Sequence, residues 1–311
     1  MTILRRDDGQ VAVLSVVFLT VLLGMSALVL DVGTWFRADR QAQLTADAAA
    51  LAAAQELPDK ASSAQAVAHS YAAKNGQKDQ SVAVQLTSTF TSSDTVKVNV
   101  EAPAPGVFAK LLGIDSVTVR ATATARSGSP KEAKWVAPIV VNEQHPLLQC
   151  KPSPCFGQAT TLDYHHLKSS GPQDPSGSGS FGFINLIQGA KNPGTSELGK
   201  WIEQGFDRYM PLGDYDARTG NPFSSTHIDA ALKERIGEEL LFPIYRKLIG
   251  TGSGAQYEIV GWVGFHLTGI DLAGPHEKLH GYFTTVTWEG IQAHSSSESV
   301  APGVKVIQLV D

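Results

Sequence analysis

Gly9 to Glu56 read GQVAVLSVVFLTVLLGMSALVLDVGTWFRADRQAQLTADAAALAAAQE, and this stretch decides the architecture. Within it, Val11 to Leu30 form an uncharged, proline-free apolar run of twenty residues. At 1.5 Å per residue such a helix covers about 30 Å, the hydrocarbon thickness of a bilayer. Nothing later in the chain is comparable, so one span is expected. A cleaved signal peptide would have a shorter apolar core, about 7–15 residues, ending at a small-x-small site. Here the run meets Asp31 without such a site, and the alanines of Ala48 to Ala54 lie beyond the usual cleavage distance. The segment therefore reads as a retained anchor. Arg5 and Arg6 precede it and Arg37 and Arg40 follow it, so counting basic residues gives no orientation. The long Ser/Thr/Gly-rich remainder favours an N-terminus inside and a C-terminal region outside.

Past the span, Asp31 to Glu56 contain no proline, and alanine, the best helix former, dominates the second half. Arg40, Gln43 and Asp47 share one face; Leu44, Ala48 and Leu51 share another at i, i+4, i+7, with Ala52 beside them. Small side chains let a second helix approach closely, so Leu44, Ala48, Leu51 and Ala52 are the candidate helix-packing residues. A plain stalk is the competing reading. Leu57-Pro58-Asp59 ends the run, because proline cannot continue a helix.

These residues resemble a known family. Gly9-Gln10-Val11-Ala12, the apolar run, Asp31-Val32-Gly33, Gln43 and the Ala46 to Ala54 stretch ADAAALAAA are similar, in that order, to the N-terminal segment of the tight-adherence (Tad/Flp) pilus-assembly proteins of the TadE/TadG-like type. The resemblance covers about residues 8–56 and is looser beyond. It implies a pseudopilin- or minor-pilin-like component of a bacterial cell-membrane apparatus. Its partners would be pilins and other pilus-assembly membrane proteins. Prepilin-like relatives are cut after a glycine and carry glutamate at the fifth mature position. The fifth residue after Gly9 is Leu14, which fits an uncleaved member.

Downstream, Ala61 to Lys74 reads as a helix stopped by Asn75-Gly76. Val82–Leu86, Val96–Val100 and Val117–Thr122 read as strands, the last two alternating as in a sheet with one covered face, with a short helix in Gly106 to Gly113 between those two. Ser127-Gly128-Ser129-Pro130 reads as linker. A second unit starts at Trp135, with a Gly/Ser/Pro loop over 169–180 and a strand at Phe181 to Ile187. Helices are expected over Glu197 to Phe206, capped by Ser196, and His227 to Leu241, with Ile228, Leu232 and Ile236 on one face. Strands are expected at Tyr257 to Thr268, Gly281 to Trp288 and Val304 to Val310. The fold class is α+β: a transmembrane helix continuing into an alanine-rich helix, then a mixed helix and antiparallel-sheet extracytoplasmic region. The expected divisions are 1–57 anchor and stalk, 58–126 small α+β unit, 127–134 linker and 135–311 C-terminal domain.

Of 311 residues, 42% are apolar and 18% charged, and the net charge is −5. The chain is a folded one, and no dense basic patch exists to neutralise phosphates, which argues against a nucleic-acid partner. Cys150 and Cys155, in CKPSPC, are too few for a cysteine metal site and not spaced as CxxC. A disulfide is the leading reading if the domain is outside the cytoplasm; two free thiols are the other.

His276-Glu277-Lys278-Leu279-His280 matches H-E-x-x-H, in which two histidines one helical turn apart bind zinc and glutamate is the base. That mechanism needs a helix. Gly274-Pro275 before and Gly281 after, between strand patterns, indicate a loop instead. Phe283 and Val286 stand where an extended metzincin motif needs glycine and histidine. Asp163 with His165 and His166 reads as a loop, because adjacent strand residues point oppositely. Asp214 to Gly220 resembles a calcium loop, but Arg218 fills a ligand position. No nucleophile elbow or phosphate-binding glycine loop occurs. A non-catalytic interaction protein without cofactor is therefore the expected function. A membrane-tethered zinc hydrolase on His276, Glu277 and His280, and an anchored envelope ligand-binding module, are the alternatives.

Overall fold

The structure is a computed structural model of the chain. It describes residues 8–76, 79–151, 153–164, 180–189, 193–218, 220, 222–250, 252–272, 277–293 and 300–310. Its contacts divide the chain into two units, Met1–Arg126 with Gln308–Asp311, and Ser127–Ile307.

The first unit is organised by one helix, α1 (Asp8–Glu56). With no proline in 49 residues, nothing interrupts it, and the apolar and alanine-rich halves form one continuous rod of about 74 Å. Its most apolar window is not covered by protein at all. A core helix of the same composition would be buried; this one is long and apolar enough to cross a membrane. From Asp31 onward the helix enters a packed environment. It ends at Leu57, itself fully buried, and the chain turns back as α2 (Ala61–Asn75). Ala64, Ala68 and Ala72, one turn apart, form the buried face of α2. The Gln41 amide and the Thr45 hydroxyl donate to the Asn75 carbonyl at 2.7 and 3.1 Å, so the end of α2 is tied to the middle of α1.

β1 (Ser81–Thr87), β2 (Thr95–Pro105) and β3 (Ser116–Gly128) make an antiparallel meander. Val96, Val98, Val100, Ala102 and Ala104 of β2 are buried at every second position, and β2 lies against α1. The β1–β2 turn is closed by Asp94, whose carboxylate accepts the N–H groups of Thr89, Phe90 and Thr91. Desolvation raises the Asp94 pKa, but these bonds and that from the Thr95 hydroxyl outweigh it and hold the carboxyl below its ordinary value.

The second unit adds β4 (Pro130–Ala133), β5 (Ile139–Asn142), β6 (Ala159–Tyr164), β7 (Ser180–Phe183), α3 (Thr195–Gln204), β8 (Met210–Pro211), β9 (Gly213–Asp216), α4 (Thr226–Glu234), β10 (Glu239–Ile249), β11 (Gln256–Asp271), β12 (Lys278–Thr284), β13 (Val286–Thr287), β14 (Gly290–Gln292) and β15 (Val304–Leu309). The pairings run β10–β5–β7–β6–β12–β11 and return from β11 to β10, a closed ring of six strands. β9 adds to the first half of β11. Closure removes the free edges that a long sheet would expose. Aromatic rings fill the core: Phe242 stacks on Phe265 at 5.1 Å, and Phe265 meets Phe283 edge-on at 5.4 Å. Helices α3 and α4 pack on each other, and β4 lies between β14 and β8.

Several expectations change here. The stretch 127–134 is not a free linker: β3 runs to Gly128 and β4 occupies most of the rest, with Pro130 at the first strand position, where a missing N–H is tolerated. Helix α4 stops at Glu234 instead of Leu241, and Ile236 is 42% exposed. Gly237, at φ 93°, turns the chain, and Leu240 and Leu241 begin a strand covered on both faces, which carries no periodicity to distinguish it from helix. Gly194, not Ser196, caps α3. Most of the loop expected over 169–180 lies outside the described residues.

Candidate functional site

The distal half of α1 has two sides. Ala42, Thr45, Ala46, Ala49, Ala50, Ala53, Ala54 and Leu57 are at most 1% exposed, because α2 and β2 approach as closely as an alanine methyl allows. Ala52, at 7%, belongs with this covered group. Leu44 is 61% exposed, and Ala48 and Leu51 are half-buried. Of the four candidate packing residues, Leu44, Ala48 and Leu51 thus remain on a face that the unit does not fill, while Ala52 is occupied by the chain's own elements. Gln43, on the polar side, bonds Asp47 at 2.8 Å and the Thr122 carbonyl of β3 at 3.2 Å.

At the end of the apolar run, Asp31 is 3% exposed. Its carboxylate accepts the N–H groups of Val107 (2.6 Å), Phe108 (3.0 and 3.1 Å) and Ala109 (2.5 Å), where the β2–β3 loop makes a 3-10 turn over Ala109–Leu112. Three orphan donors at a helical start are thereby satisfied by one anion. Sequence reasoning treated Asp31 only as the charge that ends the run. The available signal was an acidic residue directly against an apolar helix, which needs donors to stay dry.

The described residues of the H-E-x-x-H motif, Glu277 to His280, are not on a helix. His276 lies outside the described residues. Glu277 immediately precedes β12, and His280 is inside it. Leu279, Gly281 and Phe283 are covered, while Lys278, His280 and Tyr282 are half-buried. Glu277, 4% exposed, falls in step with the covered set, so Glu277 and His280 project to opposite faces of the strand. His280 Nδ1 shares a hydrogen with the Thr161 hydroxyl at 2.9 Å. Burial, and then the Glu277 charge, push the Tyr164 hydroxyl pKa up, while Arg218 pulls it partly back. Glu277 is thus buried and close enough to the Tyr164 hydroxyl for its charge to act on it. His165 and His166 lie outside the described residues, as does Thr219 of the calcium-loop-like segment, whose Asp214 and Asp216 are strand residues of β9. Among the described residues no group of three or more His, Cys, Asp or Glu side chains could hold a metal ion.

Cys150 and Cys155 are bonded, with Cα atoms 5.7 Å apart, and close a turn that follows His145. His145 caps that turn: its Nδ1 accepts the Leu147 N–H at 3.2 Å, and its ring meets Phe283 edge-on at 4.9 Å. Burial lowers its pKa to about 4, which keeps the imidazole neutral.

Residues 9–56 match the family described as Flp pilus-assembly TadE/G-like. The match begins just before the span and ends with the last residue of α1. No curated protein matches the chain, and no solved structure does.

Proposed function

We propose that the protein is a non-catalytic, membrane-anchored component of a Flp-type pilus-assembly system, acting as a pseudopilin- or minor-pilin-like partner through helix packing. The observation that carries this reading is the coincidence of the family match with α1, a helix bare along its apolar half and open on one side of its distal half. A helix with lipid on one half and an unfilled Leu44–Ala48–Leu51 face on the other is suited to lateral association with another anchored helix. The disulfide and the long outer region favour an extracytoplasmic C-terminal part, since such bonds persist in oxidising compartments. No cofactor is needed for this role.

The test is substitution of Ala48 by Phe in the native chain. The half-buried Ala48 side chain has room on its outer side, and the helix-propensity cost of Phe is well under about 1 kcal/mol. Insertion and folding are expected to persist, while pilus-assembly proteins no longer co-purify from native membranes and surface pili are lost. If assembly survives Ala48→Phe, the helix is only a stalk, and any binding surface belongs to the region after it.

A further inference from the structure

We propose that the β2–β3 loop, Val107 to Ile114, is a second membrane contact that dips into the lipid interface beside the span. The proposal rests on the membrane reading of α1 and extends it. Five apolar side chains of the loop are exposed: Val107 57%, Phe108 39%, Leu111 84%, Leu112 84% and Ile114 45%. Single exposed apolar residues need no explanation, but five in eight positions at one loop tip do.

The position of the loop identifies what covers it. Asp31, the first residue after the apolar run, holds the backbone of Val107, Phe108 and Ala109. Helical side chains lean toward the N-terminus, so this attachment draws the loop toward the last turn of the run. Consistent with that height, Ala27, one turn before Asp31, is the one half-buried residue between 10 and 30, the others being exposed. Interfacial residue types follow directly: Trp35 and Phe36, then Arg37 and Arg40, with the Arg40 guanidinium 5.6 Å from the Phe36 ring. The loop therefore lies on the lipid side of this aromatic and basic band.

Its backbone is prepared for such a place. Besides the three N–H groups taken by Asp31, those of Leu111, Gly113 and Ile114 bond to carbonyls within the loop, and Gly106 N–H bonds to Asp115 at 3.0 Å across its base. Gly113, at φ 84°, makes the left-handed stop that allows this closure. Apolar insertion would otherwise strand amide donors in a medium that cannot accept from them. Lys110, exposed at the tip, has a stem long enough to keep its ammonium among headgroup phosphates.

The experiment is spin-label accessibility on the full chain in phosphatidylcholine/phosphatidylglycerol vesicles, with the native disulfide kept oxidised. Labels are placed singly through Leu111→Cys and Leu112→Cys, with Phe18→Cys as the span reference and Ser92→Cys as the aqueous one. All four parent side chains are exposed, so folding is not at issue. The expected result is that labels at 111 and 112 collide several-fold more often with oxygen than with a nickel chelate, at a depth of about 5–10 Å below the phosphates. The proposal is overturned if both labels are as open to the chelate as Ser92→Cys while Phe18→Cys reads as lipid; the anchor then stands and the loop does not enter. It is also overturned if both are sheltered from oxygen and chelate alike, which would assign the patch to a protein neighbour. Chelate access at Phe18→Cys would remove the membrane reading itself.

Discussion

Replacing Ala49 with Leu should break the first unit, whereas the same replacement at Ala48, one position earlier, should leave it folded. Ala49 has no exposed surface on a helix packed against α2 and β2, and a side chain three carbons larger has nowhere to go without moving a neighbour. Inserting carbon atoms into a filled site costs about 1–3 kcal/mol, and the leucine propensity in a helix is close to that of alanine, so packing sets the result. Taking about 2 kcal/mol for a water-facing part of roughly 95 residues, the unfolding midpoint should fall by about 8–16 °C. At Ala48 the side chain can turn outward, and the change should stay within about 0.5 kcal/mol. The assay is thermal unfolding of the full chain in detergent micelles, followed by far-ultraviolet circular dichroism, with pull-down of pilus-assembly partners on the same samples. Equal midpoints for Ala49→Leu and the unmodified chain would refute the assignment of this face to internal packing. Equal destabilisation at both positions would refute the outward-open face, and with it the interaction proposed for Leu44, Ala48 and Leu51.

Two further outcomes follow from the second unit. The His145 pKa is held near 4 against 6.5 for a free imidazole, so its contribution is fully present above pH 6.5 and is lost as pH falls toward 4. A depression of that size is worth on the order of 2–3 kcal/mol. Urea unfolding at pH 7 and pH 4 should show this difference, and His145→Asn, which can still cap the Leu147 N–H, should remove it; an unchanged slope in the variant would refute the assignment. Glu277→Gln should cost no catalytic activity, because Glu277 is buried and in step with the strand face opposite His280, and purified protein should bind no stoichiometric zinc. Tight one-to-one zinc with Glu277-dependent cleavage would overturn both points.

The sequence was most legible where one property runs unbroken. The apolar run, its helical continuation and the stop at Leu57-Pro58 need no partner to be recognised, and α1 has the predicted form. The second and third strands of the first unit alternate because one face is covered, and all three strands appear over the expected residues. Legibility failed where both faces are covered. Leu240 to Ile244 are buried at every position, so the apolar signal was continuous and merged with the preceding helix. β5, four buried residues, gave no period at all. The closed ring of strands was invisible because closure depends on which distant strands pair, and side-chain pattern carries no such information. The Asp31 attachment was missed for a similar reason: its partners lie 76 to 78 residues away, on backbone N–H groups that any sequence supplies.

The alanine-rich segment changes meaning once its neighbours are known. In sequence, ADAAALAAA suggests a surface made for a helix from another protein, and the family match ends with that segment. In the structure most of those methyls face α2 and β2, which lie outside the matched residues. Alanine is required there because an internal helix and a strand crowd the same rod, so the density of alanine does not measure intermolecular association. The residues that separate the two roles are those the internal packing leaves over: Leu44, with most of its surface exposed, and the half-buried Ala48 and Leu51 one turn apart beyond it. An interface confined to that narrow stripe would tolerate little displacement. A single bulky side chain at Ala48 should therefore be enough to separate assembly from folding.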